Sequence, residues 1–305
     1  MSDAPAIVTE GLTKHYGDVR ALENLDLTIG QGEIFGFLGP NGSGKTTTMR
    51  TILDLIRPTA GTAKIMGLDS HEDSVEIRKH IGYVPGDLAL YRRLTGRELL
   101  QYFANLRGGV NWSYVDELAD RLTSDLSRRI GEYSSGNRQK IGLIQAFMNK
   151  PSVLILDEPS TGLDPLVQQE FQAMLREVTA EGRTVFLSSH TLSEVERVAD
   201  RVAIIREGRL VVVDTMDALK AKAIRTVTFH FGSPVAESVF STVPGVREVD
   251  IVGSAATVSF EGPMSGLLRA ATDHDVVNLT HSEADLEEIF LAYYRNGQPA
   301  EQVGA

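Results

Sequence analysis

No cysteine occurs in the 305 residues, which excludes disulfides and thiolate zinc sites and fits a reducing compartment. Basic residues are outnumbered, with 30 Lys and Arg against 41 Asp and Glu, a formal charge of −11. Such a chain has no bulk attraction for nucleic acid or anionic lipid, so any polyanion must be gripped by a local arrangement, and nucleic acid is not expected as a partner. Long apolar runs are missing as well. Stretches such as 153–156 and 211–213 are strand-sized, far short of the ~20 residues a membrane-spanning helix needs. The opening MSDAPAIVTEGL has neither a basic n-region nor an apolar h-region, so no signal peptide is expected. If the protein serves a membrane, it does so from outside the bilayer. Internal repeats and low-complexity tracts are also lacking.

What is present is regularly punctuated. Segments 7–9, 25–29 and 34–38 read as short strands bounded by glycines and charges. A helix is expected over 45–55, stopped by Arg57-Pro58. Over about 90–150 the pattern turns helical, with Leu99, Leu100, Phe103 and Leu106 on one face. Strands at 153–156, 184–188, 202–206 and 210–214 then alternate with helices at 167–179 and 192–199, and Glu207-Gly208 makes a hairpin turn. Composition shifts after Lys222. Strands at 226–231, 246–252, 256–260 and 276–280, with helices at 236–243 and 264–272, give the βαββαβ order of a small ferredoxin-like α+β unit. A final amphipathic helix is expected over 285–294. The expected organisation is therefore an α/β domain over 1–222, with a helical part at about 90–150, and a second domain over 223–305.

The segment Gly39-Pro40-Asn41-Gly42-Ser43-Gly44-Lys45-Thr46 fits G-x-x-x-x-G-K-[ST] between a strand and a helix. The glycines let the backbone curl so that successive N–H groups face phosphates, and the helix N-terminus adds its dipole. Lys45 would reach the β- and γ-phosphates of ATP, and the Thr46 hydroxyl is placed for Mg²⁺. Thr47 follows in the same turn. Alone, this motif specifies a nucleotide-binding P-loop protein and no more. The apolar run Val153-Leu154-Ile155-Leu156 ends in Asp157-Glu158. A carboxylate at a strand end can hold Mg²⁺ through water, and its neighbour can act as general base on an attacking water. Two such carboxylates by themselves could be merely solvated; beside a phosphate cradle they complete an NTPase site.

The order of motifs over about 6–222 resembles the ATP-binding cassette of ABC transporters. Tyr16, in Lys14-His15-Tyr16-Gly17, matches the aromatic that stacks on adenine. Residues 39–46 match the Walker A loop, Ser134-Ser135-Gly136-Asn137 the signature loop, and 154–158 Walker B. Ser160-Thr161-Gly162-Leu163-Asp164 matches the D-loop, and His190, in Ser188-Ser189-His190, the switch histidine. Taken singly, Tyr16 would pass for an ordinary aromatic, His190 for a packed histidine, and Asp164 for a helix cap before Pro165. The resemblance implies a P-loop NTPase fold, with a RecA-like core and a helical subdomain, that binds ATP and Mg²⁺. It makes Glu158 and His190 the catalytic pair, His190 contacting the γ-phosphate. It also implies that the signature loop binds the γ-phosphate held by a second copy, in a head-to-tail dimer.

Two positions depart from the family's usual text. After Ile81-Gly82-Tyr83-Val84-Pro85 a glutamine that contacts Mg²⁺ and water is usual, whereas Gly86-Asp87 stands here. Asp87 is a candidate substitute carboxylate. Ser135 replaces a signature glycine, which would crowd the phosphate or demand another backbone angle. The cassette, the βαββαβ unit and the tail Leu286-Glu287-Glu288-Ile289-Phe290 together resemble bacterial drug- and antibiotic-efflux ATPases, which pair with a separate ABC-2 type permease. By that resemblance the chain hydrolyses ATP to export a small molecule, as a peripheral subunit at the cytoplasmic face of the membrane. Residues 90–150, with Tyr91, Arg92 and Arg93 near their start, would receive the permease's coupling helix. A non-transport ABC ATPase would usually carry two cassettes or a long coiled-coil insertion, and this chain has neither. A nucleotide-sensing regulatory cassette is the reading to which Gly86 and Ser135 point, while Glu158 and His190 favour an active enzyme.

Overall fold

Parallel strands buried on both faces are continuously apolar, whereas half-covered antiparallel strands alternate; both patterns occur here. The computed structural model describes residues 4–222 and 225–282. The helix expected at 285–294 and the tail 286–290 lie outside the described residues. In chain order, β1 (Ile7–Tyr16) and β2 (Val19–Ile29) form a hairpin, and β3 (Ile34–Leu38) runs towards α1 (Lys45–Ile52). Next come β4 (Ala60–Ile65), β5 (Leu68–Asp69), α2 (Ser74–His80) and β6 (Ile81–Val84). Three helices follow: α3 (Gly96–Leu106), α4 (Trp112–Arg121) and α5 (Ser135–Phe147). Then β7 (Val153–Asp157), α6 (Pro165–Ala180), β8 (Thr184–Ser189), α7 (Leu192–Glu196), β9 (Arg201–Arg206) and β10 (Arg209–Thr215) alternate as expected.

The alternating strands make an antiparallel sheet in the order β2-β1-β4-β5. The apolar runs make the second sheet, β10-β9-β3-β8-β7-β6, in which β9, β3, β8, β7 and β6 are parallel. Every residue of β3, β7 and β8 is buried. Phe186 packs its ring 6.1 Å from that of Phe35 and 5.5 Å from that of Phe37, each such side chain contributing roughly 1.5–3 kcal/mol on burial. Because these strands are parallel, their C-terminal ends emerge together. Leu38 pairs with Ser189, and Asp157 with Ser188. The β9–β10 connection is the expected Glu207-Gly208 turn, with φ of 49° and 76°, the two positive values a type I′ hairpin requires.

The helical part differs from its sequence reading at one position. α3 begins with a Thr95–Glu98 capping box and buries Leu99, Leu100 and Ala104, but Leu106 is 67% exposed. It stands in the last turn, before Arg107-Gly108-Gly109, and faces a groove instead of the core.

The chain divides into two compact units, one running through Val213 and the other starting at Asp214. By this division α8 (Met216–Lys222) goes with the second unit, whereas the sequence reading ended the first domain at Lys222. β11 (Arg225–Phe231), α9 (Ser238–Ser241), β12 (Val246–Val252), β13 (Ala255–Phe260), α10 (Ser265–Thr272) and β14 (Val276–Ser282) follow. Their antiparallel sheet has the order β12-β13-β11-β14, the split βαββαβ arrangement of a ferredoxin-like unit. Phe229 stacks on Phe240 at 5.1 Å in its core, with Phe260 and Leu267 buried in the same cluster.

Candidate functional site

The site forms where β3, β7 and β8 end. Gly44 caps α1 with φ of 112°, a conformation that strains any L side chain, and a Cβ there would stand 2.8 Å from the Ala21 carbonyl oxygen. This turn delivers Lys45, only 5% exposed, into the loop it follows. Its Nζ donates to the carbonyls of Gly39 at 2.6 Å and Pro40 at 3.2 Å and pairs with Glu158 Oε1 at 3.2 Å. Ser43 Oγ is buried without a hydrogen-bond partner. An anion that gathers backbone N–H groups, an ammonium and a free hydroxyl fits this cradle.

The Thr46 hydroxyl donates to Asp157 Oδ2 at 2.7 Å, and the Ser188 hydroxyl donates to Asp157 Oδ1 at 2.6 Å. The same Ser188 oxygen accepts from the Glu158 N–H at 3.0 Å. Asp157 is fully buried, so both its oxygens are aimed by hydroxyls. Glu158 adopts φ of 52°, uncommon for a residue with a side chain and a mark of local constraint. His190 Nδ1 lies 2.7 Å from Glu158 Oε2. Lys45, Thr46, Asp157, Glu158 and His190 thus meet as one contiguous group. Among the described residues, no cluster of three or more His, Asp or Glu could hold a metal. Thr46 and Asp157 instead offer the few hard oxygen ligands that suit Mg²⁺, a cation that completes its shell with phosphates and water.

Ser134, Ser135, Gly136 and Asn137 are organised differently. Ser134 caps α5 by accepting from Asn137 N–H at 3.2 Å. Ser135 takes the first helical position and is absent from the positive-φ residues, so the backbone change expected of it does not occur. Gly136 lies against the D-loop of its own chain, where a Cβ would come within 2.1 Å of the Gly162 carbonyl oxygen. Gln139 ties α5 to the same loop, donating to Pro159 O at 3.1 Å. Asp164 caps α6 through Val167 N–H at 3.0 Å, and that bond holds its carboxyl below the usual range. Lys140 stands 3.7 Å from it. Among the described residues, no hydrogen bond joins 134–137 to the 39–47 loop.

Tyr16 ends β1 half exposed, with Lys14 Nζ 4.9 Å from its ring centroid. Gly86 abuts the centre of the site, since a Cβ there would stand 2.9 Å from Asp157 Oδ2. Asp87 is exposed. Sequence reading missed Ser188 and Gly162. The first was findable as a hydroxyl closing a buried strand opposite Asp157; the second had no signal, because its contact is made by backbone.

The sequence profile described as ABC transporter matches residues 22–161. The chain is 34% identical to the bacitracin transport ATP-binding protein BcrA of Bacillus licheniformis, over 95% of this chain and 98% of that protein. It is 33% identical to the daunorubicin resistance ATP-binding protein DrrA3 of Streptomyces coeruleorubidus, over 94% and 95% of the two chains. Among solved structures, an ATP-binding subunit of an ABC transporter superposes with a TM-score of 0.65 at 30% identity, over 70% of this chain and 92% of that one. A dimeric ATP-binding cassette bound to ADP and Pi gives a TM-score of 0.64 at 22% identity, over 69% and 98%.

Proposed function

Since the chain belongs to the ABC transporter family as an ATP-binding subunit, we propose that it hydrolyses ATP to drive export of a drug or antibiotic through a separate membrane permease of the ABC-2 type. One observation carries this reading: Lys45, Thr46, Asp157, Glu158 and His190 converge at the end of the parallel sheet in contact with one another. Similarity along almost the whole length of two antibiotic-transport and resistance subunits supports the export role.

In this reading ATP seats its phosphates on the 39–47 loop, and Tyr16 stacks on the base. A triphosphate draws Lys45 away from Glu158, which frees one carboxylate oxygen to take a proton from the attacking water. His190, on the other oxygen, orients Glu158 and meets the γ-phosphate. Thr46 and Asp157 would hold Mg²⁺, which spreads the charge on the β- and γ-phosphates when bound. Residues 134–137 complete the site of a second copy in a head-to-tail dimer, and Asp164 belongs to the same interface. Gly86 argues for no other function: it leaves Asp157 room that a side chain would take.

No helix among the described residues is long and apolar enough to cross a membrane; in this reading the chain acts as a peripheral subunit at the cytoplasmic face. A groove of about 1080 Å³ lies between α2, the end of α3 and the segment after α5. Arg78, Lys79, Arg107 and Lys150 line it together with Val75 and Leu106, and no carboxylate does. In a chain of charge −11, this local basic lining suits an acidic amphipathic segment of the permease. The test is ATP-driven drug efflux from vesicles holding both subunits. Export that stops with Glu158→Gln supports the reading, and a permease that transports equally without this chain refutes it.

A further inference from the structure

We propose that Glu194 is a positioning residue that sets the spacing of Glu158 and His190 by tying together the two loops that carry them. The proposal rests on the ATPase reading of that pair. Glu194 sits half-buried in α7. Its Oε2 accepts from the Ser160 hydroxyl at 2.8 Å and from the Ser189 hydroxyl at 2.7 Å. Ser160 comes two residues after Glu158, and Ser189 comes immediately before His190. One carboxylate oxygen therefore joins the loop leaving β7 to the end of β8, across the gap that the 2.7 Å Glu158–His190 contact spans.

That contact needs external support. The His190 side chain is 51% exposed, so packing alone does not fix it. Glu158 holds a left-handed backbone, which persists only where the surroundings over-determine it. Hydrogen bonds from hydroxyls to an ionised carboxylate are of the stronger kind. Ser189 is also held from its other side, accepting from Thr191 N–H at 2.9 Å. Among the described residues, the hydrogen bonds of Glu194 go to these two serines alone. Among the described residues, it makes no hydrogen bond or ion pair with Lys45, Thr46, Asp157 or Glu158 and acts on the reaction only through geometry. Through Ser160 the same carboxylate restrains the loop whose Gly162 lies against Gly136.

Steady-state ATP hydrolysis and binding of a fluorescent ATP analogue are measured on the full chain and on Glu194→Ala, Glu194→Gln and Ser160→Ala. Glu194→Ala is expected to lower kcat by about tenfold to hundredfold, since displacements on the order of an ångström cost that much. KM and analogue affinity stay at parental values. Glu194→Gln, whose amide oxygen still accepts from both hydroxyls, restores most of kcat. Ser160→Ala lies between, and adding it to Glu194→Ala lowers kcat no further. A folded Glu194→Ala with parental kcat, or a Glu194→Gln no better than Glu194→Ala, overturns the proposal. Should Glu194→Ala not fold, a parental kcat in Ser160→Ala overturns it instead. A parent chain that binds the analogue and never hydrolyses ATP refutes the ATPase reading and the proposal with it, an outcome distinct from any failure confined to the variants.

Discussion

At the end of the parallel sheet, Thr46, Asp157 and Ser188 form one run of side-chain contacts and Lys45, Glu158 and His190 another, joined where the Glu158 N–H donates to the Ser188 hydroxyl. Residues 134–137 are held by other means: a serine cap on α5, and a glycine pressed against a carbonyl of the D-loop. The first region satisfies its groups inward and is aimed at a ligand bound by its own loop. The second leaves Ser134 and Ser135 exposed at a helix N-terminus. The difference teaches where each region is fragile. One is dismantled by removing functional atoms, and the other by adding a single carbon.

The sharpest way to break the first region is Glu158→Gln, which keeps the shape and removes the base. Turnover should fall by ~10²–10⁴ while ATP binding persists, and the variant should accumulate as an ATP-bound dimer by light scattering. Undiminished turnover would move the base role elsewhere, with Asp87 the first residue to examine. Lys45→Ala removes a charged donor worth ~1.5–3 kcal/mol, so ATP affinity should drop by a corresponding factor in a direct titration. A variant that binds as tightly as the parent would contradict the cradle.

The second region is probed by addition. Gly136→Ala places a Cβ against Gly162 O and should cost ~1–3 kcal/mol in urea denaturation, with hydrolysis depressed as well. Ser134→Ala, a deletion at the neighbouring cap, should cost only about 1 kcal/mol. If Ser134→Ala proves the more damaging to stability, the close contact of Gly136 with Gly162 is not what holds this segment. The smallest effect is expected from shortening the chain after Lys222. That change removes no nucleotide motif, and the ATP affinity of the shortened protein should equal the parent's; loss of binding in a soluble, folded truncation would refute the separation.

How much of this was legible beforehand varies with the kind of interaction. Strands 34–38 and 153–156 stood out because burial on both faces demands an unbroken apolar run, and the helix from Lys45 because the glycine-rich phosphate motif leads from a strand into a helix. The contact group around Asp157 followed from strand ends that a parallel sheet brings together. Leu106 was misread because periodicity continues through a last turn that the core no longer reaches. Of the two effects expected of Ser135, crowding a phosphate or another backbone angle, the second does not occur, since the first position of a helix accepts serine without strain. Glu194 and Gly162 were beyond reach, for their partners lie on loops whose approach only the folded sheet defines, whereas Ser188 could be found as a hydroxyl closing a buried strand beside Asp157. Tyr16 and residues 134–137 were found through resemblance alone; no periodicity marks them.

The meeting of Gly136 and Gly162 has a consequence for how the protein can change. A position in the first turn of α5 and one in the D-loop share one van der Waals gap, so they cannot vary independently. Selected for folding alone, a library randomised at 135, an exposed position, should return many residue types. The same library at 136 should return glycine almost alone, and rare survivors should carry a second change that retracts the D-loop. Any lineage that reshapes its signature loop must therefore pass through a coupled pair of substitutions, and the narrowness of that passage is set by one carbonyl oxygen.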